Sequence, residues 1–168
     1  VVAKDFHING GHAEPGVSAS CSAAGSTTPA SYHLPGASIT DYASIPNYRF
    51  PDVGFTVEGF IKVAPGNAGK YFFSYASGTN DNCRLVRSPV LTYGGWVHWA
   101  MTVGAGPSFA IAHYRNGTAT AGPASSAAWC GGQGGTLVLG QEQDSLAGGF
   151  DATQAPNVWF DSLRVHAA

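Results

Sequence analysis

Two segments of the chain, 55–63 and 96–103, alternate between apolar and polar side chains. In the first, the odd-numbered positions carry Phe, Val, Gly, Ile and Val, whereas the even-numbered ones include Thr56, Glu58 and Lys62. In the second, the odd-numbered positions carry Val, Trp, Met and Val. A period of two is typical of a β-strand that has one buried face. We therefore expect both segments to be strands whose odd-numbered side chains face the core.

Shorter strand-like segments and frequent turn signals make up much of the remaining chain. Further strands are predicted at 5–9, 70–75, 109–115, 136–139 and 158–166, and the Ser- and Ala-rich stretch 17–31 is predicted to be a loop. The dipeptide Asn116-Gly117 is a strong signal for a β-hairpin turn. No segment keeps a helical period of 3.6 over three turns. This pattern predicts an all-β, antiparallel sandwich.

Composition and charge exclude several classes of partner. The 168 residues carry 8 Lys and Arg against 10 Asp and Glu, which gives a net charge of -2. Such a balance provides no basic surface for nucleic acid. No apolar run approaches the roughly 18 residues that cross a bilayer. We expect one domain over residues 1–168, with no nucleic-acid partner and no membrane span.

Cysteine spacing and two further residues suggest only local interpretations. Cys21, Cys83 and Cys130 form no CxxC pair, so a zinc ribbon is unsupported, and a disulfide with one odd cysteine and three free thiols both stay open. Asn116 begins a glycosylation sequon, but the hairpin turn is the favoured interpretation. His98 lies between two tryptophans in an apolar strand, and we expect it to be buried and hydrogen-bonded.

Acidic residues are concentrated in one short segment. Glu142, Asp144 and Asp151 lie within ten residues of each other. Two carboxylates about 4 Å apart repel by roughly 4 kcal/mol at an effective dielectric near 20, unless water, a shared proton or a cation offsets the charge. Oxygen donors without His or Cys favour a hard cation such as Ca²⁺, and the amides of Gln143 and Gln154 fit that donor set. A solvated acidic loop is the alternative.

The run LGQEQDS (139–145), followed by Phe150-Asp151 and Gln154, resembles the calcium-binding segment of the pentraxins. These are secreted, lectin-like proteins of the concanavalin A/laminin G jelly-roll group. Further upstream, 73–75 and Asp81-Asn82 are similar to a pentraxin strand and the loop that supplies an Asp-Asn pair to the same site. With the similarity of 93–103 and 39–63 to other strands of this group, the resemblance covers roughly residues 31–166. It implies a jelly-roll β-sandwich of the lectin/laminin G type.

The resemblance also implies a ligand set for two calcium ions. The first ion would be held by Asp81, Asn82, Glu142, Asp144 and the backbone carbonyl of Gln143, and the second would share Glu142 and Asp144 and add Gln154, with Asp151 as a further ligand. In this family the open coordination positions of the ions bind a phosphate, carboxylate or sugar oxygen. The implied function is calcium-dependent recognition of a glycan or a phosphorylated or anionic surface group by a secreted protein, with ligand contacts at Asp81, Asn82, Glu142, Asp144 and Gln154. A homo-oligomer would add avidity for repeated groups.

Departures from the family and two other function classes qualify this expectation. The pentraxin signature would place Cys two residues after His98 and end in Trp, but these positions are Ala100 and Val103, and the partner position of that Cys is Glu58. A glucanase on the same architecture would use the pattern Glu, one residue, Asp, two residues, Glu, and the last position is Ala147. We therefore expect no enzymatic activity. The first alternative is an adhesion or structural module in which calcium only rigidifies the loop, and the second is a glycan-active enzyme.

Overall fold

The computed structural model of the chain describes residues 7–9, 12–15, 30–51, 53–78, 80–87, 93–105, 110–120 and 134–167, with the strands in 7–15 and 80–87 described by their backbone alone. Twelve strands and no helix occur in these residues. They are β1 (His7–Asn9), β2 (His12–Pro15), β3 (Ala30–Leu34), β4 (Tyr42–Tyr48), β5 (Phe55–Val63), β6 (Tyr71–Ser77), β7 (Asn80–Arg87), β8 (Trp96–Val103), β9 (Ile111–Arg115), β10 (Thr118–Thr120), β11 (Gly135–Leu139) and β12 (Val158–Ala167). The described residues contain no apolar helix long enough to cross a bilayer.

The strands form two sheets in which every pair of neighbours is antiparallel. The five-stranded sheet has the order β1-β4-β11-β6-β7 and the seven-stranded sheet has the order β10-β9-β8-β5-β12-β3-β2. Strands close in sequence are often far apart within a sheet, so the connections cross between the sheets. The predicted all-β jelly-roll sandwich is confirmed.

The core lies between the two sheets and contains the alternating faces identified in the sequence. All odd-numbered residues of β5 are buried, and its even-numbered residues are partly exposed. Trp99 of β8 is fully buried, and its ring centroid lies 6.0 Å from that of Phe73 on the opposite sheet. Phe50 and Phe55 stack with centroids 4.6 Å apart. Each such side chain contributes about 1.5–3 kcal/mol by leaving water.

Some strand boundaries differ from the prediction. The bounds of β5 and β8 are as predicted, but in β4 burial alternates only over residues 42–45. The rest of that strand includes Pro46 and Asn47, whose φ is 53°. The end of the predicted loop 17–31 is wrong, since β3 begins at Ala30. This strand forms because Leu34 pairs with Val158 of β12, a long-range partner that local composition does not reveal.

His98 is not buried as expected. Its side chain is 35% exposed on the outer face of the seven-stranded sheet, because it occupies an even-numbered position of β8. The Nε2 atom lies 3.2 Å from Oε2 of Glu58, and the ring packs edge-on against Phe60 with centroids 5.3 Å apart. The expected polar partner exists, but the core position belongs to Trp99.

Candidate functional site

A sharp turn at Gly140 starts the segment that carries the predicted calcium ligands. We call residues 140–154, between β11 and β12, the acidic loop. Gly140 has a φ of 81°, in the left-handed region that favours glycine. A Cβ atom there would lie 2.5 Å from Cδ1 of Leu34. The turn sends the chain back across the outer face of β11 and β6, where Oγ of Ser74 donates a 2.8 Å hydrogen bond to the carbonyl of Gln141.

Gln143 fastens the acidic loop to the sheet. Its side chain is fully buried, and Nε2 donates to Oγ of Ser74 and to the carbonyl of Thr136, both at 3.1 Å. The backbone N–H of Ala147 donates to Oε1 of Gln143, also at 3.1 Å. All polar atoms of this side chain therefore serve the fold. The backbone carbonyl of Gln143 stays the predicted calcium ligand.

The tip of the loop reverses direction and returns to Asp144. Ser145 and Gly148 exchange two backbone hydrogen bonds of 3.2 and 3.1 Å, and Ala147 between them has a φ of 58°. Gly149 has a φ of 71°, and a Cβ atom there would lie 2.8 Å from Cβ of Asp144. A glycine is thus required for the chain to pass this close to Asp144.

The two central carboxylates have different surroundings. Glu142 is only 4% exposed, whereas Asp144 faces solvent. A buried carboxylate is stable only where donors or a cation offset its lost hydration. Glu142 therefore lies at the base of the loop and Asp144 at its surface, which would give an ion both a protected and an accessible side.

Gln154 provides an amide oxygen with no donor in the described part of the chain. Its backbone is fixed, because its N–H donates to the carbonyl of Asp151 at 3.0 Å and its carbonyl accepts from the N–H of Tyr71 at 3.1 Å. Its Oε1 atom is buried, yet no described residue donates a hydrogen bond to it. Leaving a buried acceptor unsatisfied costs about 1–3 kcal/mol. A bound cation would remove that cost.

Asp151 lies on the exposed side of the loop with a well-defined orientation. Its Oδ1 atom accepts hydrogen bonds from the backbone N–H and from the hydroxyl of Thr153, both at 2.8 Å. These bonds, that of the backbone first, stabilise the charged form and lower the pKa of Asp151 from its ordinary value of 3.8. Asp151 is therefore ionised at neutral pH, as a calcium ligand has to be.

We expect the pKa of Asp151, measured by NMR titration in chelator, to lie below 3.8 and to rise when Thr153 is replaced by Val. Thr153→Val keeps the backbone donor and removes the hydroxyl, so the rise should be partial. Because the folded-state pKa is the lower one, this interaction stabilises the fold above pH 3.8 and is lost as the pH falls through the folded-state value. A wild-type pKa at or above 3.8 would contradict the hydrogen-bond geometry.

The backbone of β7 places Asp81 and Asn82 near the part of the five-stranded sheet that carries the acidic loop. Asn80 pairs with Ser77 and Arg84 pairs with Tyr75, with a register shift between them. Asp81 and Asn82 therefore lie beside the end of β6, whose other neighbour at this level is Thr136 of β11. Their side chains lie outside the described residues, so the full predicted ligand set stays a prediction.

Side chains alone do not form a metal centre in the described part of the chain. No group of three or more His, Cys, Asp or Glu side chains converges there to hold an ion. Within the acidic loop, ion binding would therefore require amide and carbonyl oxygens beside Glu142 and Asp144. That donor chemistry suits calcium rather than a transition metal.

The structure also brings together residues that the sequence analysis did not connect. On the outer face of the seven-stranded sheet, Glu58 lies between His98 and His166, whose Nε2 is 2.9 Å from Oε1 of Glu58. On the same face, Nζ of Lys62 lies against Trp96 and Trp159. This face could have been identified from the even-numbered positions of β5 and β8, which combine charged and aromatic residues.

Comparison with known proteins adds one informative similarity. No family model and no curated protein matches the chain. Among solved structures, the chain is similar to the crystal structure of the native heptameric SAP-like pentraxin from Limulus polyphemus, with a TM-score of 0.51 and 22% identity over 78% of this chain and 79% of that one. The fold is pentraxin-like. The heptamer belongs to the Limulus protein, and at this identity the similarity extends to the fold alone.

The pentraxin-like fold agrees with the resemblance identified from residues 139–154. In this fold the five-stranded sheet supports the acidic loop on its outer face, while the seven-stranded sheet lies on the other side of the core. In the described part of the chain, the acidic loop and the outer face of the seven-stranded sheet therefore lie on opposite sides of the core.

Proposed function

We propose that the chain is a calcium-dependent recognition protein that binds a glycan or a phosphorylated surface group through ions held by the acidic loop. The observation that carries this proposal is the buried Oε1 of Gln154, which lacks a donor among the described residues. The pentraxin-like fold supports a lectin-like role. Secretion and a homo-oligomeric state, which would increase avidity, are part of this proposal.

The ion would be held by carboxylates, amides and backbone carbonyls. Glu142 would bind at the protected base of the loop and Asp144 at its solvent side, with Gln154 and the carbonyl of Gln143 completing part of the shell. Asp81, Asn82 and Asp151 are the further proposed ligands. Calcium takes 6–8 oxygen ligands, so an ion bound at the surface keeps positions for a ligand oxygen.

The loop favours binding over catalysis. A retaining glycosidase needs two carboxyl groups about 5–5.5 Å apart. The position of the second catalytic Glu is Ala147, whose N–H is bonded to Gln143. Nothing at this position can donate or accept a proton. We therefore propose no hydrolytic activity for this site.

The alternative of a structural module rests on the burial of the loop. Because Glu142 and Gln143 lie beneath its surface, an ion would also fix the loop against the sheet. In that case calcium would stabilise the fold without creating affinity for a ligand. The two functions differ in whether binding of phosphoethanolamine or of a glycan depends on calcium.

The first test is the unfolding temperature of the wild-type protein in calcium and in chelator. At a calcium concentration about 100 times the dissociation constant, linkage stabilises the native state by about 2.7 kcal/mol. For a chain of this size that corresponds to about 5–10 °C. An unchanged midpoint from micromolar to millimolar calcium would contradict ion binding.

The second test is retention on immobilised phosphoethanolamine and on a glycan array, in calcium and then in chelator. Calcium-dependent retention is expected from the recognition function. A calcium-induced rise in unfolding temperature without any retained ligand would favour the structural module.

A further inference from the structure

Three residues from adjacent strands form a row on the outer face of the seven-stranded sheet. Lys62 of β5 pairs in register with Trp159 of β12 on one side and with Trp96 of β8 on the other. The neighbours Ile61 and Val63 are fully buried in the core, so Lys62 lies on the opposite, outer face of β5. We call Trp96, Lys62 and Trp159 the aromatic row. All three side chains are partly exposed.

The ammonium group of Lys62 lies between the two indole rings. Its Nζ atom is 4.0 Å from the ring centroid of Trp159 and 5.4 Å from that of Trp96. Such cation–π contacts contribute about 0.5–1 kcal/mol each at exposed sites. They hold the charge of Lys62 in one place instead of leaving it on a mobile side chain.

The ring of Trp159 is also fixed by a contact with His33. Its ring is stacked on His33, with centroids 4.1 Å apart and planes inclined by 2°. His33 in turn makes a 2.8 Å hydrogen bond to Oδ1 of Asn157, whose backbone N–H donates to the side chain of Asn67. The aromatic row is therefore preorganised, which lowers the entropic cost of binding a ligand.

Lys62 lies within salt-bridge distance of no carboxylate in the described part of the chain. Glu58 lies on the same face of β5, but four residues away, which is about 13 Å along a strand. Its two oxygens are each within 3.2 Å of a histidine, His98 or His166. Asp161 is buried and accepts a hydrogen bond from Ser162. The row thus presents a fixed positive charge that an external anion could neutralise.

The surroundings of this charge define what kind of anion fits. His33 covers one face of the Trp159 indole and Nζ of Lys62 covers the other. The ring of Trp96 therefore offers the apolar surface for the C–H groups of a sugar ring. A sugar that carries a carboxylate or sulfate has both an apolar face and an anionic group within one ring. A polyphosphate has the negative charge but no ring whose C–H groups an indole could contact.

We propose that the aromatic row is a second, calcium-independent binding site for an anionic sugar, in which Lys62 binds the acidic group, Trp96 contacts the ring and Trp159 positions Lys62. The site lies on the sheet opposite to the acidic loop, and it shares no residue with the proposed calcium site. One molecule could then bind two chemically different surface groups, one on each outer face.

The test uses polygalacturonate as the probe, with 1 mM chelator present throughout so that the calcium site cannot contribute. Binding is followed by tryptophan fluorescence and by mobility in a gel that contains the polymer. The methyl-esterified polymer is the matched neutral ligand, and polyphosphate is the anionic ligand without sugar rings. We expect binding to polygalacturonate alone, with an affinity that falls as salt screens the charge.

Three variants assign the binding to the aromatic row. Lys62→Met keeps the aliphatic stem and removes the charge, and it should weaken binding at least tenfold. Trp96→Leu should weaken binding comparably. Arg49→Gln removes one exposed positive charge elsewhere and should change the affinity by less than twofold. Circular dichroism and the unfolding temperature confirm that each variant is folded. If Lys62→Met does not fold, Trp96→Leu still tests the site.

Several results would overturn the proposal. Equal binding of the neutral polymer would indicate an uncharged glycan platform, and equal binding of polyphosphate would indicate unspecific charge attraction. Unchanged affinity of both Lys62→Met and Trp96→Leu would place the site elsewhere, and binding that appears only when calcium replaces the chelator would assign it to the acidic loop. None of these results decides whether the acidic loop binds calcium, because that site is tested without polygalacturonate.

Discussion

Replacing Gln143 by Met should destabilise the protein by about 3–5 kcal/mol and release the acidic loop from the sheet. The side chain makes three hydrogen bonds, to Ser74, Thr136 and Ala147, and it is fully buried. Met has a similar length but makes none of these bonds. Each bond contributes about 1 kcal/mol, and a buried group left without its partner adds about 1–3 kcal/mol. Such a loss is a large part of the 5–15 kcal/mol that holds a typical domain together.

Gln141 provides the matched control for this variant. It is also fully buried, but its side chain makes one hydrogen bond, from Nε2 to the carbonyl of Ser38 at 3.0 Å. Gln141→Met should therefore cost only about 1 kcal/mol. Urea unfolding of both variants in chelator measures the difference. Equal losses would show that the bonds of Gln143 do not hold the loop.

Replacing Glu142 by Gln, or Asp144 by Asn, should abolish the stabilisation by calcium. Both changes keep the shape of the side chain and remove the negative charge that draws the ion. We expect the calcium-dependent rise of about 5–10 °C in the unfolding temperature to disappear. Unfolding in chelator should change little for Asp144→Asn, because Asp144 is exposed.

The matched control for the calcium-site variants is Glu58→Gln. It removes the same charge from the outer face of the other sheet, where Glu58 contacts His98 and His166. Its unfolding temperature should rise in calcium as that of the wild type does. If Glu58→Gln also lost the response, the effect would come from net charge rather than from a defined site. A normal response in both Glu142→Gln and Asp144→Asn would rule out the acidic loop as the calcium site.

Alternation along the chain was sufficient to predict the central strands of the larger sheet. In β5 and β8 the predicted bounds and the buried face agree with the structure, because each strand is covered on one side and exposed on the other. In β6, residues 72–77 are all buried, since the core covers one face and the acidic loop covers the other. Such a strand has no alternation to detect. For β3 and β4, pairing with distant strands determines the structure, and composition carries little information about it.

For the acidic loop, the sequence predicted a chemistry but not how the loop is built. The oxygen-donor composition of residues 142–154 predicted a hard cation, and the donor set is compatible with that prediction. It could not reveal that the side chain of Gln143 is used for anchoring or that Glu142 is buried, because both depend on the turn at Gly140. His98 was assigned to the core for a similar reason, since local apolarity does not distinguish the two faces of a strand.

Because the acidic loop covers β6, ion binding and the integrity of the smaller sheet are energetically coupled. Detaching the loop would break the bonds of Gln143 and uncover Ser74 and Val138, which are fully buried in the native state. The loop and the outer face of β11 and β6 would then open as one cooperative unit, of the kind that hydrogen exchange detects. A bound ion would raise the free energy of that opening, and it would protect backbone amides that never contact the ion.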